Sequence, residues 1–281
     1  MRCDDVEVRL DCFRSGELDQ NEAAAIETHL ETCPECCDVR DEIESIADSA
    51  KRLLGECRPC CLEALEDALF DRYDHFESER GAVHVAFSSK GVTRVRLGGT
   101  RESFADEYRQ RFGRELHCSK IDEISRRAII SALEGAGGQE VGIDLTALSD
   151  FEQKVLRALL RIPMGEVRTY AWVAREAGNP AASRAVGNAC ARNPIPFVVP
   201  CHRVVPTSGG VGSYGYGPRF KRELLNAEGV ATEKLEELSR RGIRYVGSRE
   251  DHSYCFPTCR AVESIPEAKI VYFRGDDDAI A

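Results

Sequence analysis

The sequence predicts a multidomain chain of mixed α+β/α/β class: an acidic, cysteine-rich helical module, a small α/β unit, and a helical half containing a helix-turn-helix. Three observations predict it. The chain has 281 residues, more than one compact domain at roughly 150 residues per domain. Eight of its 13 cysteines (Cys3, Cys12, Cys33, Cys36, Cys37, Cys57, Cys60 and Cys61) crowd the first 61 residues. The hydrophobic period changes from helical to alternating near residue 81, then back to helical near 148.

Composition narrows the class. A hydrophobic content of 42% is enough to build cores and excludes global disorder. No apolar run approaches the length of about 18 residues that a membrane span needs, and the start Met1-Arg2-Cys3-Asp4-Asp5 lacks the apolar stretch of a secretory signal. A cytoplasmic protein with no membrane partner is expected, and there clustered cysteines point to metal sites or reactive thiols, not disulfides. Charge is uneven. Residues 1–80 carry 9 Lys+Arg against 23 Asp+Glu, whereas residues 151–230 carry 11 against 5. The overall net charge of −10 argues against a polyanion partner; the basic stretch argues for one, because docking depends on the local face.

In chain order, residues 17–30 read as a helix with Asp19 as N-cap and Glu22 three residues on. A second helix follows Pro34 and runs to about Leu54, with Val39, Ile43, Ile46 and Leu53 on one side. Together these make a domain over 1–55. Residues 56–80 are expected to be a linker, with an acidic helix over 62–78. Residues 81–147 form the α/β unit: strands at 82–87 and 92–97 around Ser88-Ser89-Lys90-Gly91, helices at 102–113 and 121–134, and a short strand near 141–145. Residues 148–232 form the helical domain. Ser149 or Asp150 caps a helix whose apolar face is Val155, Leu156, Leu159 and Leu160. Thr169 caps another over 170–177, ended by Gly178-Asn179-Pro180. A third helix, over about 181–192, carries Arg184 and Asn188 and completes a helix-turn-helix. Residues 243–281 form a last small module.

The segment from Pro194 to Val205 carries the chemistry. Three prolines (Pro194, Pro196, Pro200) restrain an extended approach to Cys201, followed at once by His202 and Arg203. A cysteine needs thiolate character to be a nucleophile, and a base or positive neighbour supplies it. Adjacent residues of a strand face opposite ways, so a water would carry the proton between Cys201 and His202. The residues alone leave a buried structural cysteine equally open.

This segment, with Asn193 before it, resembles the active-site segment of the O6-alkylguanine-DNA alkyltransferases. Gly165 to Tyr170 and Gly178 to Gly187 resemble that family's helix-turn-helix, Gly209 to Gly217 its substrate-pocket loop, and Leu224 to Gly229 its closing helix. Residues 81–145 are similar to its ribonuclease-H-like N-terminal half, so the likeness covers about 150 residues. It implies a helix-turn-helix catalytic alkyltransferase domain that takes an alkyl group, such as methyl, from O6-alkylguanine in double-stranded DNA. Cys201 matches the acceptor, His202 and Glu228 the partners that activate it, Asn193 the brace of the turn, and Tyr170 the hydroxyl that donates to the flipped guanine and helps rotate its phosphate. Arg184 matches the side chain that fills the hole left in the duplex. Pro196, Arg203, Val211, Gly212, Tyr214 and Gly215 fall in the matching DNA- and substrate-binding segments. Extrusion of the base costs a few kcal/mol, and glycines in the loop permit close approach to it. The product thioether has no evident route back to thiol, so the protein acts once, with no cofactor for the transfer. A branch of the family that binds alkylated DNA without repairing it lacks the acceptor, and Cys201 is present.

His29, Cys33 and Cys36 have zinc-ligand spacing. Residues 16–36, with Cys3 upstream, resemble the zinc-binding anti-sigma domain, which implies a structural zinc held by Cys3, His29, Cys33 and Cys36 and a sigma-factor-like protein partner. Cys12 and Cys37 are spare candidates, and Cys57/Cys60 is a weaker pair. Arg244 to Ser248, Tyr254 to Arg260 and Val271 to Arg274 resemble the start of the zinc domain of the adaptive-response alkyltransferase. Cys255 and Cys259 supply one cysteine pair of its four-cysteine site and the second does not follow before Ala281, so phosphotriester repair is not expected of this module. The main rival reading is a transcriptional or anti-sigma-type regulator that senses alkylation or thiol chemistry. A Cys–His hydrolase is disfavoured, because no oxyanion-hole motif accompanies Pro200-Cys201-His202.

Overall fold

The structure is a computed structural model and describes residues 2–7, 9–15, 18–56, 69–137, 141–248, 250, 253–275 and 278–279. The chain divides into two compact units, Met1–Ala68 and Leu69–Ala281.

The first unit is helical: α1 (Cys3–Glu7), α2 (Leu10–Ser15), α3 (Gln20–Leu30) and α4 (Pro34–Glu56). The Asp19 side chain accepts from the backbone N–H groups of Asn21 and Glu22, so α3 starts after it. Proline at the first position of α4 costs nothing, because its missing N–H would have been unpaired there. Among the described residues the core is Val6, Leu10, Ile26, Leu30 and Cys36, with Val39 and Ile43 packed against its edge. Ile46, expected on the same apolar side, is 67% exposed. Cys57, Cys60 and Cys61, and the side chains of Cys12 and Leu53, lie outside what the structure describes.

The second unit opens with a four-stranded sheet of β1 (Phe70–Ser78), β2 (Gly81–Ser88), β3 (Gly91–Leu97) and β4 (Glu115–Cys118), in the order β3-β2-β1-β4. β1 runs antiparallel to β2 and parallel to β4. This corrects the expected acidic helix over 62–78: residues 70–78 are an inner strand, and 61–68 lie outside the described residues. Two of the acidic residues that suggested a helix, Asp71 and Asp74, are paired and buried in the sheet. Asp71 accepts from the Tyr108 hydroxyl, and Asp74 from the Ile121 N–H at 3.1 Å and the Lys120 ammonium at 3.0 Å. The alternation of Tyr73 and Phe76 against charged neighbours is broken by the buried Asp74, which hides the strand period. The strand expected near 141–145 is a single bridge between Val92 and Ile143, and β4 had no sequence signal. Helices α5 (Arg101–Phe112) and α6 (Glu123–Glu134) end on glycines in the left-handed conformation, Gly113 and Gly135.

Helix α7 (Asp150–Leu160) opens with a capping box. Ser149 accepts from the Glu152 N–H, and the Glu152 carboxylate accepts from the Ser149 N–H. It buries Val155, Leu156 and Leu159, while Leu160 is 45% exposed. A two-residue strand β5 (Arg168–Thr169) leads into α8 (Tyr170–Glu176), and α9 (Ser183–Ala191) follows. β5 pairs in parallel with β6 (Val204–Val205). Helices α10 (Pro218–Ala227) and α11 (Thr232–Arg240) close this part. The last residues form a three-stranded sheet of β7 (Tyr245–Ser248), β8 (Ser253–Cys255) and β9 (Ile270–Phe273), with a short helix α12 (Arg260–Glu263). Phe256 buries into a cluster with Val167, Val205 and Leu225, which joins this module to the β5–β6 pair.

Among the described residues, no helix is long and apolar enough to cross a membrane. Leu159 is fully buried in the main core. Leu159→Ala is expected to cost about 2–5 kcal/mol of stability, and the exposed neighbour change Leu160→Ala within about 0.5 kcal/mol. Urea midpoints of the two variants check this; equal shifts would show that α7 does not face the core as described.

Candidate active site

Cys201 sits at the end of a turn built by one side chain. The Asn193 carboxamide oxygen accepts from the Ile195 N–H at 3.0 Å, while its nitrogen donates to the Val199 carbonyl at 2.9 Å and lies 3.2 Å from the Cys201 sulfur. The turn is strained at Phe197, whose φ of 73° is left-handed, a conformation that costs a side-chain-bearing residue about 1–2 kcal/mol. Burial of the Phe197 ring against Tyr216 and Phe220, at centroid distances of 5.1 and 5.9 Å, offsets that cost.

Cys201, His202 and Arg203 form one turn of 3-10 helix. This corrects the extended strand expected there. Successive side chains are therefore about 120° apart, and the three part company. Cys201 lines a pocket; His202 is wholly buried and its Nε2 lies 2.8 Å from the Glu228 carboxylate. Arg203 grips the same carboxylate with Nε at 2.8 Å and Nη2 at 2.9 Å, and donates Nη1 to the Ile162 carbonyl at 2.7 Å. Burial pushes the Glu228 carboxyl up, but the hydrogen bonds from His202 and Arg203 outweigh it and hold the group below its usual range. Burial pulls the His202 imidazole down against the opposing pull of Glu228, so the ring is neutral at pH 7. Its Nδ1 is buried with no hydrogen-bond partner among the described residues.

The pocket holds about 490 Å³, and its wall includes Tyr170, Asn193, Pro196, Cys201, Tyr214 and Gly215. Tyr170 reaches it because β5 ends at Thr169 and β6 begins at Val204, so the parallel pair sets the start of α8 beside the Cys201 turn. Burial pushes the Tyr170 hydroxyl up to about 12, which keeps it a donor at neutral pH. The other expected binding residues lie elsewhere. Arg203 is committed to Glu228, Val211 is buried in the separate cluster of Val167 and Val205, and Gly212 packs against the Pro206 ring at a φ of +73°. Arg184 is exposed on α9 and, among the described residues, meets no hydrogen-bond or ion-pair partner.

Lys221 is the site residue that sequence reasoning missed. It is 1% exposed, and its ammonium donates to the Val204 carbonyl at 2.6 Å. The signal was there: Lys221 stands three and four residues before Leu224 and Leu225, on the buried face of α10. Burial lowers its pKa to about 8, so it remains mostly charged at pH 7. Burial raises the Cys201 thiol, while Asn193, the charge of Lys221 and the nearby Tyr214 hydroxyl act in the opposite sense.

In the first unit, the ligand atoms of Cys3, His29, Cys33 and Cys36 all lie within 4.8 Å of one another. Cys3 Sγ is 3.8 Å from both His29 Nε2 and Cys33 Sγ. A tetrahedral zinc with Zn–S of about 2.3 Å and Zn–N of about 2.0 Å sets such atoms about 3.5–3.8 Å apart, so the residues fit the ion. Cys37 instead donates to the Leu30 carbonyl. In the last module, burial and then the neighbouring Cys259 push the Cys255 thiol up to about 11.

Comparison with known proteins bears on both units. The family model for the 6-O-methylguanine DNA methyltransferase DNA binding domain matches residues 150–230, and a zinc-finger family model matches residues 3–37. A methylated-DNA--protein-cysteine methyltransferase from Methanosarcina acetivorans is 33% identical over 165 residues, covering 56% of this chain and 97% of the relative. The chain belongs to that family. A member from Mycobacterium tuberculosis is 49% identical over 89 residues, 32% of this chain and 53% of its own length; the chain thus spans about half the length of the mycobacterial relatives it matches. The crystal structure of Mycobacterium tuberculosis OGT in complex with DNA aligns over 60% of this chain and 98% of that one, at 30% identity and a TM-score of 0.47.

The buried cation gives a test of how the thiol is activated. Lys221→Met is expected to slow alkylation of Cys201 by iodoacetamide about tenfold at pH 7, the factor that ~1.4 kcal/mol of lost thiolate stabilisation produces. The gap should narrow as pH rises through about 8, where the wild-type lysine loses its own charge. Peptide mass spectrometry across pH reads both; a gap that persists unchanged to pH 10 would assign Lys221 a purely structural role.

Proposed function

We propose that this chain repairs DNA by direct, irreversible transfer of an alkyl group, such as methyl, from O6-alkylguanine in duplex DNA to Cys201. The observation that carries the reading is a buried cysteine on the wall of a 490 Å³ pocket, braced by Asn193 and backed by the His202–Glu228 pair. Membership of the methyltransferase family supports it independently.

The step follows from the residues. The Cys201 proton leaves through a bridging water toward His202 Nδ1, and Glu228 steadies the imidazolium. The thiolate attacks the alkyl carbon in line, the carbon–O6 bond breaks, and its electron pair moves into the purine, which takes up a proton and leaves as guanine. Tyr170 donates to the base as that charge develops, while Pro196, Tyr214 and Gly215 enclose it. Arg184, exposed on α9 and without a partner among the described residues, enters the duplex in place of the extruded base. The sulfur ends as a thioether, so each molecule acts once and the transfer needs no cofactor.

The β3-β2-β1-β4 order with its parallel β1–β4 pair supports reading residues 81–147, together with β1, as the ribonuclease-H-like half. For the first unit, we infer a structural zinc held by Cys3, His29, Cys33 and Cys36, supported by the ligand geometry and the zinc-finger match. Zinc supplies a cross-link to a core that, among the described residues, buries only five side chains. The resemblance of residues 16–36 to the zinc-binding anti-sigma domain adds a second role to this reading, a zinc-dependent contact with a sigma-factor-like protein.

Incubation with duplex containing O6-methylguanine should add one methyl to wild type, mapped to Cys201 by peptide mass. Cys201→Ser should gain none yet bind the duplex within about threefold of wild type, because phosphate contacts dominate affinity. Transfer by the serine variant would remove Cys201 from the acceptor role. Metal analysis of the full chain should give one zinc per molecule, and Cys33→Ser should lose it together with helical circular dichroism. A metal-free wild type with unchanged helicity would sink the zinc assignment.

A further inference from the structure

The reading above uses the floor of the Cys201 pocket and leaves its cationic rim unexplained. Arg94 and Arg96 on β3, Arg111 near the end of α5 and Arg192 just after α9 all line the pocket. Carboxylates answer only some of that charge. Arg94 and Arg96 share the single Glu107, and Arg192 lies 3.6 Å from Glu152. Among the described residues Arg111 has no ion-pair partner. Its guanidinium sits 5.3 Å over the Phe112 ring and donates through Nη2 to the Arg192 carbonyl at 2.6 Å. Two contacts thus hold the group in place, and neither neutralises it. Arg94 and Arg192 line the same pocket beside it. Such a cluster is relieved when an anion enters it.

Depth says which anion. Cys201 is 7% exposed, at the floor, whereas Arg111 and Arg192 are exposed, at the mouth. When a base reaches the thiol, the sugar and phosphate of the same nucleotide remain at the mouth. We propose that Arg111, with Arg94 and Arg192 beside it, forms a subsite for a phosphodiester flanking the flipped nucleotide. The inference rests on the repair reading and extends the DNA-binding surface from the helix-turn-helix to the sheet-bearing half of the unit. A planar guanidinium offers a phosphate two parallel hydrogen bonds, so arginine is the residue expected there.

The test is a cycle between protein and DNA. Single-turnover transfer is measured for full-length wild type and Arg111→Gln on O6-methylguanine duplex. The duplex carries either natural linkages or one neutral methylphosphonate at each flanking position in turn. At one position wild type should lose about tenfold on neutralisation. Arg111→Gln should lose about tenfold on natural DNA and less than about twofold more on neutralised DNA, since its contact is already gone. Its salt dependence should weaken by about one phosphate. Arg111→Lys, which keeps the charge, should recover part of the rate and so exclude misfolding as the cause. Losses that multiply at both positions would overturn the subsite, as would a loss confined to an O6-carboxymethyl lesion, which would place the anion on the adduct. A wild type that gains no methyl at Cys201 sinks the repair reading and the subsite with it; a competent wild type with multiplying losses sinks the subsite alone.

Discussion

The carboxylate of Glu228 is the constraint on which the second unit turns. A buried carboxylate is costly unless its charge is paired and its oxygens are hydrogen-bonded. Glu228 meets both demands with His202 on one oxygen and Arg203 spanning both. Those partners are consecutive residues after Cys201, so satisfying one buried charge orients the whole 3-10 turn. Arg203 extends the constraint to the end of α7 through the Ile162 carbonyl. Removing either partner of such a pair costs about 3–5 kcal/mol, because the other charge is left buried. The thiol is therefore held by a network whose members are positioned by stability as much as by chemistry.

The pocket reflects the same economy of support. The β5–β6 ladder is only two residues long on each side, yet it sets Tyr170 beside Cys201. Neighbouring elements hold it: the Val167 N–H donates to the Thr258 hydroxyl at 2.9 Å, and Phe256 packs on Val167 and Val205. Residues of the last module thus brace the strand that leads to Tyr170. Lys221 adds a charge that burial penalises, an arrangement that favours a reactive thiol over maximal stability.

The first unit solves a different problem. Among the described residues its helices bury few apolar side chains, and Cys36 itself is part of the core. Of the four clustered ligand-type residues, His29 comes from the end of α3, Cys33 from the turn after it, Cys36 from the start of α4 and Cys3 from α1. An ion held there would tie together segments that packing alone holds weakly.

What the sequence by itself determined is local. Helix starts were legible at Asp19, Ser149 and Thr169, because a capping side chain bonds to the N–H groups that follow it within three residues. The β2–β3 hairpin was legible from its alternation and turn. Cys201, His202, Glu228 and Asn193 were legible as a family pattern, and the ordered cysteines and histidine as a ligand set. What only the tertiary structure decided is which distant groups meet. β1 reads as an acidic helix until Tyr108, Lys120 and the Ile121 N–H are seen to satisfy Asp71 and Asp74. Arg203 reads as a substrate residue until Glu228 claims it, and Lys221 as a surface lysine until the Val204 carbonyl receives it. In each case a charged side chain takes its role from a partner on another element, brought close by the packing of apolar residues around it. Spacing along the chain carries no record of that partner.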